Sequence, residues 1–549
     1  MKKHNRIIAG IMAVCLMCGV GIVPESIFPE ISITASAEED YTYENLRYKF
    51  SENGTIEITG CDKSVTSVVI PDKINGIKVT SIGYYAFSAC KNLTEIKIPD
   101  SVTRINTGAF SGCKSLTDIT LPDSITDIYS STFYGCTSLK EMTIPDGVTN
   151  IDGSAFAGCT SLTRITIPDS VENIYISAFN GCTVLTSINV SENNENYSSI
   201  DGVLFNKDKS EIIKYPPELS ADIYEIPENV KNIGNYVFSG CMNLKGIKIP
   251  ESVTNIGIGA FSDCKNITEI TIPSRVESIG DKAFKNCTNL ASIDIPDSLE
   301  KIGSKVFSGT SWLKIQQKEN PLVIVNDILI DGTAHTVNVV IPDGTTTINS
   351  DAFSGCKNLT SITIPDSVKI IGDHAFQGCD RLQSILLPEN ITTIGYGAFQ
   401  DCTNLRTMYL PESVTLIDYD AFRNCKNLFQ MSILNPECTI REENGNTISN
   451  GEYYFKFTIY GYTDSTALEY AKKYHCKFIA IDALDDITIM GDLNGDNEFN
   501  VSDVVLFQKY LLGEADIETS CWKNADLYPD YILDSFDLCL MKKQLIENQ

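Results

Sequence analysis

The 549-residue chain has only 4 histidines and 2 tryptophans, and it sets 43 Lys and Arg against 71 Asp and Glu, a net charge of −28. Scarce histidine removes the commonest general base and metal ligand. Beyond His4 there are His335, His374 and His475, each isolated from any Ser or Cys nucleophile motif. The acidic balance disfavours nucleic acid and anionic membranes as partners. Past the N-terminal leader, no stretch reaches the ~18–20 uninterrupted apolar residues of a membrane span. Paired C-x-x-C spacing is missing from the same region, which argues against a cysteine metal site. The carboxylates that recur, Asp100, Asp123, Asp146, Asp169 and Asp366, are turn residues that follow a proline. No catalytic constellation emerges, so the chain reads as non-catalytic.

What is present begins with a leader. Lys2, Lys3 and Arg6 precede an apolar run from Ile7 to Val23, and Ala35-Ser-Ala37 is a small-x-small cleavage site. Residues 1–37 are therefore expected to be a signal peptide, and the protein to be secreted. Cleavage loses three cations and two acids (Glu25, Glu30), leaving a net charge of −29.

The body repeats itself. Cys90, Cys113, Cys136, Cys159 and Cys182 are 23 residues apart; so are Cys241, Cys264 and Cys287, and Cys356, Cys379, Cys402 and Cys425. Phe87, Phe110, Phe133, Phe156 and Phe179 keep the same step, one of three runs making thirteen such Phe positions. One copy runs from Cys113 through Leu116, Ile119, Leu121-Pro122, Ile125 and Ile128 to Phe133. A period of 20–29 around Leu-x-x-Ile-x-Leu marks a leucine-rich-repeat solenoid, and the Pro ends each strand where no ladder N–H is needed. These residues resemble the BspA-like bacterial leucine-rich repeats over about residues 66–480. Leu116, Ile119, Leu121, Ile125, Ile128 and Phe133 should point inward, and the array should form one continuous core.

The rhythm breaks in three places. Phe179 and Phe238 are 59 residues apart, and the excess reads as a hairpin of Asp201–Phe205 against Glu211–Tyr215. Between Phe307 and Phe353 the period holds, but Thr310 replaces Cys and Leu322–Val325 with Ile328–Ile330 suggests a second hairpin. The third break, Tyr453–Ile481, includes a strand at Thr458–Tyr460 and a helix at Ala467–Tyr474, and it suits a terminal cap. The expected division is signal peptide 1–37, N-terminal cap and first repeat 38–88, solenoid 89–452 with insertions near 189–219 and 320–341, C-terminal cap 453–481, linker 482–490 and a last domain 491–549.

Of 19 cysteines, two lie in the leader and twelve in the repeat column, leaving Cys61, Cys438, Cys476, Cys521 and Cys539. Stacked coils lie about 4.8 Å apart with parallel side chains, whereas a disulfide needs Cβ atoms converging to about 3.8 Å. The column is therefore expected to be free thiols acting as small buried fillers.

The last domain holds a twice-repeated loop and helix. The first loop has Asp492, Asn494, Asp496, Glu498, Asn500 and Asp503 at positions 1, 3, 5, 7, 9 and 12. The second has Asp526, Tyr528, Asp530, Ile532, Asp534 and Asp537 there. Side-chain oxygens at 1, 3, 5, 9 and 12, with a main-chain carbonyl at 7, suit a hard cation such as Ca2+. Loop one is complete; loop two lacks an oxygen at position 3 and has Tyr531 where Gly usually turns. The pair resembles the dockerin module of cellulosome-type complexes, and Asp at position 12 fits dockerins better than an ordinary EF-hand. The resemblance implies a small all-α domain that binds cohesin on a scaffold protein. It implies one ion at the first loop and leaves the second loop open. It also implies cohesin contacts at Val501, Ser502, Gln508 and Lys509, and at Ser535, Phe536, Lys542 and Lys543, two unequal sets.

Counting alternation from the inward Ile places Lys97, Thr120, Thr143, Thr166, Asn189, Lys248, Thr271, Asp294, Thr363, Leu386, Tyr409 and Ser432 in one outward column. No row of aromatic rings offers a sugar platform. Leu386, Arg406 and Tyr409 cluster within two repeats and form a candidate patch for a protein ligand of unknown identity. The reading is a secreted leucine-rich-repeat interaction protein held by its dockerin at a scaffold, extracellular or at the cell surface. Its association with polysaccharide breakdown is by analogy. A carbohydrate-binding accessory and an unrecognised polysaccharide-degrading enzyme are the alternatives.

Overall fold

Each 23-residue repeat closes one coil, because three short segments per repeat find the same segments of the next coil in register. In the computed structural model, which describes residues 40–175, 177–334, 337–442, 447–448, 457–483, 489–496, 498–515, 517, 522–527 and 533–547, Glu141–Thr143, Arg164–Ile167 and Ser187–Val190 pair in parallel. Asp127–Ile128, Asn150–Ile151 and Asn173–Ile174 form a second parallel ladder across the coil. The Phe turn makes the third link: the Phe133 N–H donates to the Ala155 carbonyl at 2.8 Å. Leu116, Ile119, Leu121, Ile125, Ile128 and Phe133 are all buried, as their spacing requires.

Identical coils at strand spacing put identical side chains in columns. Phe87, Phe110, Phe133, Phe156 and Phe179 stack with centroids 5.4–5.8 Å apart. The twelve column cysteines are buried and unbridged. They do more than fill space. The Cys113 thiol donates to the Phe87 carbonyl at 3.0 Å, Cys136 to Phe110 at 3.2 Å and Cys159 to Phe133 at 3.1 Å, so sulfur satisfies a buried acceptor of the preceding coil. Burial also pushes the Cys136 thiol up to about 12, which keeps it protonated and unreactive. Thiol titration of the folded chain should find few reactive groups, and titration in denaturant nearly all 17 left after leader removal. Bridges between successive column members, such as Cys113 to Cys136, would overturn this. Cys61 and Cys90 bring their sulfurs to 3.2 Å, so an added oxidant should join that pair first.

The core is not one continuous mass. Among the described residues the buried apolar interior of the coils falls into three runs, Leu46–Leu204, Val203–Ile328 and Leu322–Ala471, apart from a fourth cluster at the C-terminal end. The runs change over at two hairpins, where strand alternation sends neighbouring residues to opposite sides. The first is a three-strand meander, Tyr197–Ile200, Val203–Asn206 and Glu211–Lys214, with one strand more than its spacing suggests. Tyr215 then stands in the Phe column, its ring 5.0 Å from Phe238. Lys214 occupies the small-residue place before it and is 4 % exposed, its amine donating to the Tyr236 carbonyl at 3.0 Å.

Burial holds the Lys214 amine below the usual lysine range, against a smaller opposing pull from Cys241 and Cys182. The unfolded chain then binds a proton that the folded chain does not, between the depressed value and about 10.4, so stability rises with pH in that window. The stability of wild type relative to Lys214→Met should therefore climb by up to about 1.4 kcal/mol per pH unit as pH rises through that window toward ~10. Parallel denaturation midpoints for the two proteins across that range would refute a depressed, buried amine.

At the second break a helix unforeseen from the repeat spacing, α1 (Ser311–Glu319), begins where Thr310 replaces Cys; Thr310 Oγ1 accepts from the Leu313 N–H at 3.1 Å as N-cap. Val323–Val325 and Ile328–Asp331 then pair antiparallel around Asn326 and Asp327, both at positive φ, the two-residue hairpin those residue types favour. At the C-terminal end of the solenoid, Thr458–Gly461 lies between Gln430–Ile433 and Lys477–Ala480, with α2 (Thr466–Lys473) packed against it.

Candidate metal centre and docking faces

The first loop curls because its short acids and amides hydrogen-bond their own backbone. Asp492 Oδ1 accepts from the Gly495 N–H, Asn494 Oδ1 from Asp496 and Asp496 Oδ1 from Glu498, at 2.8–2.9 Å. Asn500 caps α3 (Val501–Leu511) in a capping box with Asp503. Asp503 Oδ1 takes the N–H groups of Leu493 and Asn494, and its Oδ2 takes that of Asn500. Position 12 is thereby locked to positions 2, 3 and 9, and the loop's side-chain oxygens are held on a single closed turn.

Asp492 is 1 % exposed and Asp503 fully buried. Among the described residues no cationic side chain pairs with Asp503. A buried carboxylate is costly without a counter-charge, so the donor set fits a bound hard cation. Among the described residues no three His, Cys, Asp or Glu side chains stand together as a metal cluster. The three carboxylates of the set, Asp492, Asp496 and Asp503, are thus not gathered around one point here; Asn494, Asn500 and the Glu498 carbonyl make up the other three positions.

The second loop is described in part. Asp526 and Asp537 are buried, and Asp537 Oδ2 accepts from the Asp534 N–H at 3.0 Å, as Asp503 does from Asn500. Asp530 and Ile532, with Tyr528, lie outside the described residues. Between the loops, the short helix α4 (Trp522–Ala525) supplies Asn524, whose side-chain N–H donates to the Asp492 carbonyl at 2.9 Å. The loops' helices, α3 and α5 (Ser535–Glu547), share a core that includes Leu493, Val504, Phe507, Leu533 and Met541.

Val501, Ser502, Gln508 and Lys509 are all exposed on α3. Val505, 42 % exposed, lies in the same stripe and was missed; counting i, i+4, i+7 from Val501 finds it. Ser535, Lys542 and Lys543 are exposed on α5, while the Phe536 side chain lies outside the description.

The proposed partner patch needs correction. Leu386 is 55 % exposed and Arg406 is exposed, but Tyr409 is 8 % exposed. Its ring belongs to a buried cluster with Leu434, Tyr460, Leu493, Val504 and Phe507, and its hydroxyl donates to Glu389 at 3.2 Å. Thr407, Gln430 and Ser432 on the same face are buried too. Alternation fixes which way a strand residue points, not what later segment covers it. His374 sits at positive φ in a Phe-turn position, edge-on to Tyr396.

The family model described as BspA type leucine rich repeat region (6 copies) matches residues 80–211, 218–330 and 324–444, and its segments change at the two hairpins. The dockerin type I domain model matches residues 490–546. A search of curated proteins found no match. Among solved structures, a leucine-rich repeat protein from Eubacterium ventriosum is 28% identical, covering 66% of this chain and 94% of its own, with a TM-score of 0.43. The pneumococcal vaccine antigen PcpA is 20% identical over 81% of this chain and 98% of its own, with a TM-score of 0.45. A leucine rich cell surface protein from Faecalibacterium prausnitzii is 26% identical over 75% of this chain and 98% of its own, with a TM-score of 0.29. With stacked 23-residue coils followed by paired acidic loops and helices, the chain belongs to the BspA type leucine-rich-repeat family and ends in a dockerin type I domain.

Proposed function

We propose that this is a secreted, non-catalytic interaction protein of an extracellular cohesin-based assembly, delivered to its scaffold by the C-terminal dockerin. The observation that carries this reading is the dockerin match on a pair of loops whose first copy has a full oxygen set. Dockerin type I domains bind calcium and imply a cohesin partner. Here Asp492, Asn494, Asp496, Asn500 and Asp503 would hold one ion by side chain and Glu498 by its carbonyl, at the start of α3. The ion neutralises buried carboxylates and so steadies the helix that presents Val501, Ser502, Val505, Gln508 and Lys509. The solenoid is the cargo, and Leu386 with Arg406 is the part of its candidate ligand face left open. No helix among the described residues is long and apolar enough to cross a membrane. Residues 1–37 act as the export signal and 482–490 as the connector. The link to polysaccharide degradation follows from the company dockerins keep.

The test is capture of the full mature chain on an immobilised type I cohesin panel, with calcium and with EGTA. Calcium-dependent retention is expected. Exchanging Val501-Ser502 with Ser535-Phe536 should change affinity by roughly tenfold, about 1.4 kcal/mol, because the two faces differ. Equal affinity after the exchange would mean the faces are interchangeable.

A further inference from the structure

The second break in the solenoid leaves an opening. Gly332 holds the Phe-turn place of this coil, its N–H donating to the Ala352 carbonyl as Phe133 does to Ala155, and a Cβ there would lie 2.1 Å from the Phe353 ring; Ile330 lies earlier, on the strand that pairs Leu329 with Ile348. On the turn side, the coils before and after bond to one another directly across two periods. Ser304 donates to Asp351 Oδ2 at 2.5 Å, Lys305 pairs with Asp351 Oδ1 at 2.7 Å, and Asn349 Nδ2 donates to the Ile302 carbonyl at 2.9 Å. Behind this bridge is a cavity of about 160 Å³.

Its floor is apolar, made by Phe307, Leu313 and Ile330. Its rim has hydrogen-bonding capacity left over. Asp331 Oδ1 accepts from Gln317 and twice from Thr333, while Asp331 Oδ2 accepts nothing among the described residues. The hydroxyls of Ser308 and Ser354, also on the wall, make no hydrogen bond among the described residues. Lys305, the cation of the lining, is paired with Asp351. With Asp331 added, the lining is net negative, which disfavours phosphate or carboxylate ligands.

We propose that this cavity binds a single neutral sugar ring, either a free monosaccharide or the end of a chain. A pyranose has a C–H face for the apolar floor and hydroxyls that both give and take hydrogen bonds. Asp331 accepts, Lys305 donates through its remaining protons, and Ser308 and Ser354 do either. The volume equals about five waters and lies below the ~300–1,000 Å³ of sites for larger ligands, so an oligosaccharide does not fit inside. This site is independent of the dockerin reading.

Trp312 reports on it, since its ring lies 4.7 Å from Phe307 and it adjoins Leu313 on α1. In the full chain with Trp522→Phe, Trp312 is the one remaining tryptophan. Emission should saturate during titration with glucose, galactose, mannose, xylose or arabinose, with a Kd of roughly 0.1–10 mM. Cellobiose or xylobiose binding as well as its monomer assigns a chain end; monomer binding alone assigns free sugar. Ser354→Leu, which fills the cavity, and Asp331→Asn, which keeps its Oδ1 contacts, should each weaken binding at least about tenfold. No saturation by any sugar up to about 100 mM, saturation by free lysine instead, or sugar binding unchanged in both variants would each overturn the site.

Discussion

Phe156→Ala should destabilise the solenoid by about 3–5 kcal/mol, the largest loss expected from a single truncation. Phe156 is fully buried, with Phe133 stacked on one face at 5.5 Å and Phe179 on the other at 5.8 Å. The Phe133 N–H is fixed to the Ala155 carbonyl of the next coil, and the Phe156 N–H to Ala178 beside Phe179, so the space cannot close by local collapse. Each coil contacts only its neighbours, and stability is a sum of such contacts. The loss should therefore fall on the first run, Leu46–Leu204, and leave the run from Leu322 nearly unchanged. Urea denaturation with hydrogen exchange reads both the size and the location. A loss below about 1 kcal/mol, or one spread evenly over all three runs, would mean the Phe column is not what holds the coils together.

Removing both ends of the first loop, Asp492→Ala with Asp503→Ala, should abolish high-affinity calcium binding. The two carboxylates act in different ways. Asp492 turns the loop through the Gly495 N–H, whereas Asp503 ties the loop's first turn to the base of α3 through three N–H groups. Either change alone leaves a buried charge or amide without its partner, so the single variants should also lose most of the binding. Calorimetry on the mature chain should show one tight site in wild type and none in the double variant. Undiminished binding would move the main site to the second loop, despite Tyr528 at its third position. Calcium-dependent cohesin capture should disappear with the site, since Asn500, the N-cap of α3, is itself a ligand position.

Much of this molecule is legible in its sequence. A repeat of 23 residues with Leu, Ile, Cys and Phe at fixed places dictates stacked coils, because equal coils in parallel register put equal residues in contact. The inward residues, the buried unbridged thiols and the positions of the breaks follow from that periodicity. Loop chemistry is equally local: alternate oxygens on twelve residues, followed by a helix, need no distant partner to be recognised.

Other features depend on what the fold brings together. Tyr215 continues the Phe column although its distance from Phe179 is irregular, because the meander absorbs the excess and returns the chain to the same place. Lys214 is buried there since the coil offers its amine the Tyr236 carbonyl, a partner 22 residues on. α1 replaces part of a coil without changing the length of two periods, so spacing alone concealed it. Tyr409 points outward as alternation demands, yet is buried in a cluster with residues some 80–100 positions later. Sequence by itself determined the class of fold, the inward columns and the candidate ion ligands, all set by interactions within one repeat or one loop. Tertiary structure alone decided which outward faces stay open, where sulfur finds its acceptor carbonyl and where a missing ring leaves a cavity, because each depends on the surfaces of segments that meet only after the coils have stacked.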